Sequence, residues 1–494
     1  MPWKKIPFAD EIDGGGGGGG DACLVVAASD APSDLKNRAD YVCDGSDDQV
    51  EINNALSNAK KVILTVGTFH LSGDITIPSY TTLFGSGWGT LVSGNSIRNS
   101  DQDDGNTHVA VGFLRKSGAP SMGAVRMENV SFFKVHDIFI EGNNGQRGIF
   151  IRKATDGWVE RNYIKDVNYA GISCERAIQD TPDVFRIVIK NNILNHAQLP
   201  IYIECSDDVI IESNRYFGEP TQGALLQGSH NIIIKGNDFG ATADYAVLSI
   251  ESDGTRRCRN IKIIGNEIHD GGPTEGYGIR IYGSGHKYIT IANNHIYNNQ
   301  MSGIYLYAGE YISIIGNFFY DDQTTKTQDY GIEFRDADAF SNILLKNNVI
   351  GEMEQGKIHI PSSVSRDAIL GEQMIVNVRD TSTIGFALPI IIPKECVLLK
   401  ASIVAQSDVP SSSSDYYTFT LKDKGGDGSG EDVICSKSTN GNPITAFDEW
   451  DLGSLDSTHK VLNRGDVLNL HISETGSPPS LDALSLLLKF ATTE

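Results

Sequence analysis

Three glutamates, Glu175, Glu204 and Glu251, close three short segments of similar pattern, GISCE, PIYIE and LSIE. Two carboxyl groups held near each other can serve as acid and base in the cleavage of a glycosidic bond. The related segments IFIR, IRIY, IYLY and IEFR supply Arg152, Arg280, Tyr282, Tyr305, Tyr307, Glu333 and Arg335, and PIYIE adds Tyr202. Aromatic faces pack on sugar rings, and planar polar groups read hydroxyls and carboxylates. Arg152, Tyr202, Arg280, Tyr282, Tyr305, Tyr307 and Arg335 are therefore the expected sugar-binding set, with the glutamates as the acid/base candidates. A second chemistry fits the same residues. Arg152 or Arg280 would neutralise a uronate carboxylate while a Tyr or Lys takes the proton, giving β-elimination. A plainer reading is that stacked Arg and Glu neutralise one another across strands. His269, Asp270 and Glu275, in the loop NEIHDGGPTEGYG, form a further polar cluster of the kind that walls a cleft. The sequence carries no metal-ligand signature, phosphate-binding loop or nucleophile elbow.

The elements that must position these residues are repeats. The segments VERNYI, VIKNNI, IIESNRYF, IIIKGNDF, IKIIGNEI, ITIANNHI, ISIIGNFF and ILLKNNVI each run an alternating apolar strand into an Asn, at 162, 192, 214, 237, 266, 294, 317 and 348. Asn143 precedes them, and successive gaps of 19 to 31 residues match one turn of a solenoid. Such strands are too short and one-sided to fold alone, and parallel stacking buries a column of Ile, Val and Leu. Asn suits a left-handed corner, and its amide can bond the Asn one turn away, so the ladder is expected to be structural. A second strand, often opened by Gly, precedes each ladder strand. Alternation turns Ile149, Ile151, Ile172, Cys174, Ile201 and Ile203 inward and their neighbours toward solvent. If Leu248 and Ile250 also point inward, Glu251 shares a column with Glu204 and Glu175. Strands of one sheet lie ~4.8 Å apart. Glu175 and Glu204 would then approach the ~5 Å of a retaining pair, and Glu204 and Glu251 the ~9.6 Å that leaves room for an inverting water. The expected fold over residues 62–361 is a right-handed parallel β-helix.

The rest of the chain frames this unit. Residues 1–22 hold MPWKKIPFADEID and a run of seven glycines, which predicts an attachment peptide on a flexible linker. Residues 44–59 read as a helix capping the open lower end of a solenoid that spans 23–361. Residues 362–494 read as short alternating strands of an antiparallel sandwich, for trimerisation or glycan binding. Its loop 422–432, DKGGDGSGED with its flanking Lys, is a candidate for structural Ca²⁺, though without the spacing of a known calcium loop. The formal charge is −22, from 63 acidic and 41 basic residues, which argues against nucleic acid as a partner. Seven dispersed cysteines without a C-x-x-C pair predict free buried thiols, Cys174 and Cys205 among them on the core side. No apolar run is long enough to cross a bilayer, and the N-terminus has no apolar segment of a secretory signal, so release as part of a virion is one expected route outside the cell.

The Asn-ladder turns, the segment ADYVCDGSDDQVEINNAL and the phrase TTLFGSGWGTLV resemble the pectin-lyase-like β-helix superfamily over about residues 40–361. With an attachment peptide ahead and a sandwich behind, the order of parts resembles a phage tailspike or similar virion-associated protein. The resemblance implies a homotrimer that binds, and often cleaves, a surface polysaccharide, attached to a baseplate or tail through residues 1–13. Within the superfamily, alginate epimerases carry an acidic-histidine motif after Tyr-Gly. Here those stretches read YGIRIYGSGH and YGIEFRDAD, so epimerase activity is not expected. The leading expectation is a virion-borne or extracellular depolymerase, hydrolase ahead of lyase. A non-catalytic adhesion fibre is the alternative from another class.

Overall fold

A computed structural model describes residues 23–492 apart from 121, 179, 219, 336–339, 362–368, 371, 379–386, 393–395, 406–407, 427–428, 447–448, 457–460, 464–465 and 479–483. The expected attachment peptide and glycine linker lie outside the described residues. From Cys23–Ala27 onward the strands pair in parallel with the turn above and below. This pairing runs through the chain to Ile369–Leu370. Each upper turn contributes three short strands, one to each face of the solenoid. The first face stacks residues 149–151 and 172–174 under 201–203, Ala224–Gln227, Leu248–Glu251, Ile279–Ile281, Ile304–Leu306, Tyr330–Phe334 and Gly356–His359. The second face stacks the strands that lead into the ladder asparagines, from Val184–Lys190 to Ile343–Lys346. The third stacks the strands that follow them, from Arg215–Phe217 to Val349–Ile350.

Alternation explains the core. Ile149, Ile151, Ile172, Cys174, Ile201, Ile203, Leu248 and Ile250 are fully buried, and one continuous apolar column runs up the solenoid. Burying each such side chain contributes roughly 1.5–3 kcal/mol. At the lower end the helix Gln49–Asn58 packs Ile52, Ala55 and Leu56 into that column. At the upper end Val397 and Leu399, from the strand Cys396–Ala405, join the same core. That strand belongs to one of two antiparallel sheets, whose facing residues (Leu398, Ile403 and Leu486 against Phe419, Leu421 and Leu470) form a second core. This is the sandwich architecture the C-terminal strands predict.

The ladder asparagines are buried and bonded in series. Each Nδ2 donates to the Oδ1 of the next, from Asn162 through Asn192, Asn214, Asn237, Asn266, Asn294 and Asn317 to Asn348, at 2.9–3.1 Å. Two details differ from the sequence expectation. Asn143 is exposed and bonds only the Ser117 hydroxyl, so the series begins at Asn162. The left-handed residue at each corner is the one before the ladder Asn: Arg161, Asn191, Ser213, Gly236, Gly265, Asn293, Gly316 and Asn347. The ladder position selects Asn because its amide both donates and accepts, while the corner before it tolerates several residue types.

All seven cysteines are free and all but Cys23 are buried. Cys205 does not face the core as expected. It sits at a corner with φ 44° and places its thiol 2.8 Å from Asp253 Oδ2. In the loop 422–432, Glu431 is taken by Lys422 at 2.6 Å and by Lys424, and Asp427 lies outside the described residues. Among the described residues no helix is long and apolar enough to cross a membrane.

Candidate functional site

The first face displays two columns of outward side chains. Backbone pairing sets Phe150, Ser173, Tyr202, Leu225, Ser249, Arg280, Tyr305 and Glu333 one above another. Two residues further along each strand, Arg152, Glu175, Glu204, Gln227, Glu251, Tyr282, Tyr307 and Arg335 form the second column. Glu204 and Glu251 therefore lie two turns apart, ~9.6 Å at sheet spacing, with Gln227 between them. Glu175 is one turn below Glu204.

Every candidate glutamate in this column has an arginine. Arg147 grips Glu175 with both guanidinium arms, at 2.6 and 2.8 Å. Arg176 Nε donates to Glu204 at 2.9 Å, while its other arm meets Asp253 at 2.6 Å. Arg280 meets Glu251 at 2.8 Å and also pairs with Glu275. Arg152 pairs with Glu128 one turn down. These pairings realise the cross-strand neutralisation that the alternating charges suggest. Glu204 is nevertheless distinct. Half-burial raises its proton affinity above the usual carboxylate range, Asp253 and Glu175 push the same way, and Arg176 and Tyr202 only partly oppose this.

Solvent reaches the columns unevenly, which changes the expected roles. Tyr202 is 5% exposed, packed against Leu199, Leu225 and the edge of Tyr169, and its hydroxyl donates to Gln227 at 2.8 Å. It offers no ring face to a sugar and acts instead as a prop under Gln227. Arg280 is likewise almost covered. Higher up, Tyr282 is 46% exposed, meets Tyr307 edge-on with centroids 5.0 Å apart, and lies under the Arg280 guanidinium. Tyr305 stacks on Tyr277 at 4.5 Å. Arg335 lies over the Tyr307 ring at 3.7 Å. The wall is a strap: Asp180 accepts from the Thr255 and Arg256 backbone, so the segment after Glu175 crosses three turns to the corner at Asp253. A hollow of about 350 Å³ lined by Asn168, His196, Gln198 and Thr221 opens at the opposite corner.

A family model described as a right-handed β-helix region matches residues 44–255, 177–319 and 253–366, overlapping as repeated turns do. The chain belongs to the right-handed β-helix family. Solved structures similar to it include the mannuronan C-5 epimerase A-module of Azotobacter vinelandii, with 15% identity, TM-score 0.49, and coverage of 64% of this chain and 93% of that one. The DFA-IIIase of Arthrobacter chlorophenolicus matches at 12% identity and TM-score 0.49, covering 69% and 98%. The Dettilon tailspike protein matches at 11% identity and TM-score 0.45, covering 90% of each chain. No curated protein sequence matches the chain.

This β-helix divides the polar loop that the sequence presents as one cluster. Glu275 joins the first face through Arg280, whereas His269 and Asp270 belong to the third. His269 bonds Asp270 at 2.7 Å and Asp238 at 3.1 Å and stacks on Tyr297. Burial pulls its pKa down, but the two carboxylates outweigh this and leave it raised. Sequence reasoning missed Arg147, Arg176, Gln227 and Asp253. Gln227 carried a signal, since Gly223 opens ALLQ as other glycines open the column strands. The other three sit on flanking segments, and Arg176 meets Asp253 across 77 residues of chain. Among the described residues, one trio (Cys43, Asp48, Glu51) brings thiol and carboxylate donors within 4.8 Å of one another. It lies at the capping helix, and Asp48 there already accepts the Gly45 and His70 amides.

Proposed function

We propose that the first face binds a polysaccharide along the solenoid axis and hydrolyses it, with Glu204 as proton donor and Glu251 as the partner carboxylate. The observation that carries this reading is Glu204 itself. Its surroundings raise its pKa above the usual carboxylate value, chiefly through burial, and it lies two turns from a carboxylate salt-bridged to Arg280. That spacing admits a water between sugar and Glu251, so inversion at the anomeric carbon is expected. β-Elimination is less well supported, because Arg152 and Arg280 are already engaged by carboxylates and burial pushes the Tyr202 hydroxyl up, away from a base. The arginine at every glutamate of this column also suits a second reading, a face that binds without cutting. In either case the protein works as a virion-borne or extracellular homotrimer. That part of the reading is supported by the order of N-terminal peptide, glycine linker, solenoid and sandwich along the chain. The test is incubation with a panel of neutral and acidic polysaccharides, following new reducing ends and the absorbance of unsaturated products together. Reducing ends alone, abolished in Glu204→Gln with binding kept, support hydrolysis. Rising absorbance would replace it with a lyase, and binding without any cleavage would leave an adhesion fibre.

A further inference from the structure

The arginines of the first face differ in one respect. Arg147, Arg152, Arg176 and Arg280 each carry a carboxylate partner. Arg335 has none among the described residues. Its guanidinium carbon instead lies over the Tyr307 ring, 3.7 Å from the centroid. A guanidinium stacked on an aromatic ring is already held in one orientation, so less freedom is lost when its fork meets a carboxylate. Below it, Tyr282 meets Tyr307 edge-on and exposes nearly half its surface. A sugar ring packs on exposed aromatic surface and its carboxylate on a planar pair of donors, and this corner sets the half-exposed Tyr282 and the Arg335 guanidinium within two turns of each other.

We propose that Tyr282, Tyr307 and Arg335 form a subsite for an acidic sugar, so that the polymer taken by this face carries a carboxylate in its repeat. This rests on the proposed polysaccharide-binding role of the face and names its substrate class. Arg335 is three turns above Glu251, ~14 Å at sheet spacing. The acidic residue would therefore be read several sugars away from the bond presented to Glu204 and Glu251. The lower turns, whose charges are internally paired, would take neutral units.

The experiment compares binding of defined oligouronates with binding of the same oligosaccharides after carboxyl reduction, by calorimetry, using the full chain. The wild type is expected to prefer the acidic form, and the preference to shrink as salt rises. Arg335→Gln should weaken acidic-form binding roughly tenfold or more and leave the reduced form unchanged, as expected for a lost charge-assisted pair. Arg335→Lys keeps the charge but not the stacked fork, and should recover only part of the preference. Equal binding of both forms by the wild type, or an unchanged preference in Arg335→Gln, overturns the subsite while leaving a glycan-binding face intact. Binding of neither form overturns the subsite and the face together.

Discussion

Replacing Asn214 by Ala tests the frame that sets the spacing of Glu204, Gln227 and Glu251. The Asn214 Oδ1 accepts the Asn192 backbone N–H at 3.0 Å and the Asn192 Nδ2 at 2.9 Å. Its Nδ2 donates to the Ile189 carbonyl at 2.9 Å and to Asn237 Oδ1 at 3.1 Å. Asn192, Asn214, Asn237 and Ile189 are all buried. The substitution strands the Asn192 backbone N–H and one of the two Nδ2 hydrogens of Asn192 (the other keeps the Val159 carbonyl at 2.9 Å) and removes a donor from the Ile189 carbonyl, while Asn237 Oδ1 keeps the Asn214 backbone N–H at 2.8 Å. Each stranded buried group costs about 1–3 kcal/mol, so losing the acceptor of these two donors should cost about 2–6 kcal/mol, a large share of the 5–15 kcal/mol typical of a domain. Urea unfolding followed by circular dichroism would show a lower midpoint. Because stacked repeats can open locally, hydrogen exchange at the Asn192 amide is the sharper assay. Its protection should fall by about two to four orders of magnitude. The control is Asn143→Ala, an exposed Asn with one bond to Ser117, for which a change within about 0.5 kcal/mol is expected. If Asn214→Ala cost no more than that control, the ladder would not be what fixes the turns.

The other predictions concern titrating groups. Glu204→Gln should lower the cleavage rate about 10²–10⁴-fold, and in the wild type activity should decline as pH rises through the raised pKa of Glu204, because a proton donor must hold its proton. Arg176→Ala removes the cation that holds that pKa down, so the alkaline limb of the kcat/KM profile should move to higher pH; a shift the other way would contradict the assignment. Lys116 is fully buried, its ammonium donating to the Gly94, Ser117 and Gly118 carbonyls, and burial lowers its pKa to about 7 against partial opposition from Asp74. Between that value and the ordinary lysine range the unfolded chain binds the extra proton, so stability should rise with pH across this window. Lys116→Met should flatten the rise, as read from urea midpoints on either side of it.

How much of this was legible in the sequence follows from the range of the interactions. Strand alternation is local, so the inward Ile and Val residues and the column of Glu175, Glu204 and Glu251 could be read directly. The ladder could be read because one residue type recurs at one point of each turn. Asn143 was misread because its type matches while its place in the turn does not. The strand Ala224–Gln227 was overlooked because two adjacent leucines blur a period-two pattern, and with it went Gln227. Tyr202 read as exposed because alternation decides only which way a side chain leaves the sheet. Whether water reaches it depends on Tyr169 and Leu199, which arrive from corners.

The same distinction decides where chemistry can arise on this face. Regular stacking would repeat one environment at every turn, and a row of identical Glu–Arg pairs would bind weakly and cut nothing. The corners break that equivalence. The segment after Glu175 carries Arg176 up to Asp253, so its guanidinium is shared between two carboxylates, whereas Arg147 meets Glu175 with two of its nitrogens. Glu204 is left half-buried, close to two other negative groups, with half a cation. At the top the reverse holds, and Arg335 has an aromatic ring but, among the described residues, no carboxylate. The strands thus fix the spacing of the side chains along the axis, and the irregular corners set which carboxyl has its pKa raised and which guanidinium lies over an aromatic ring.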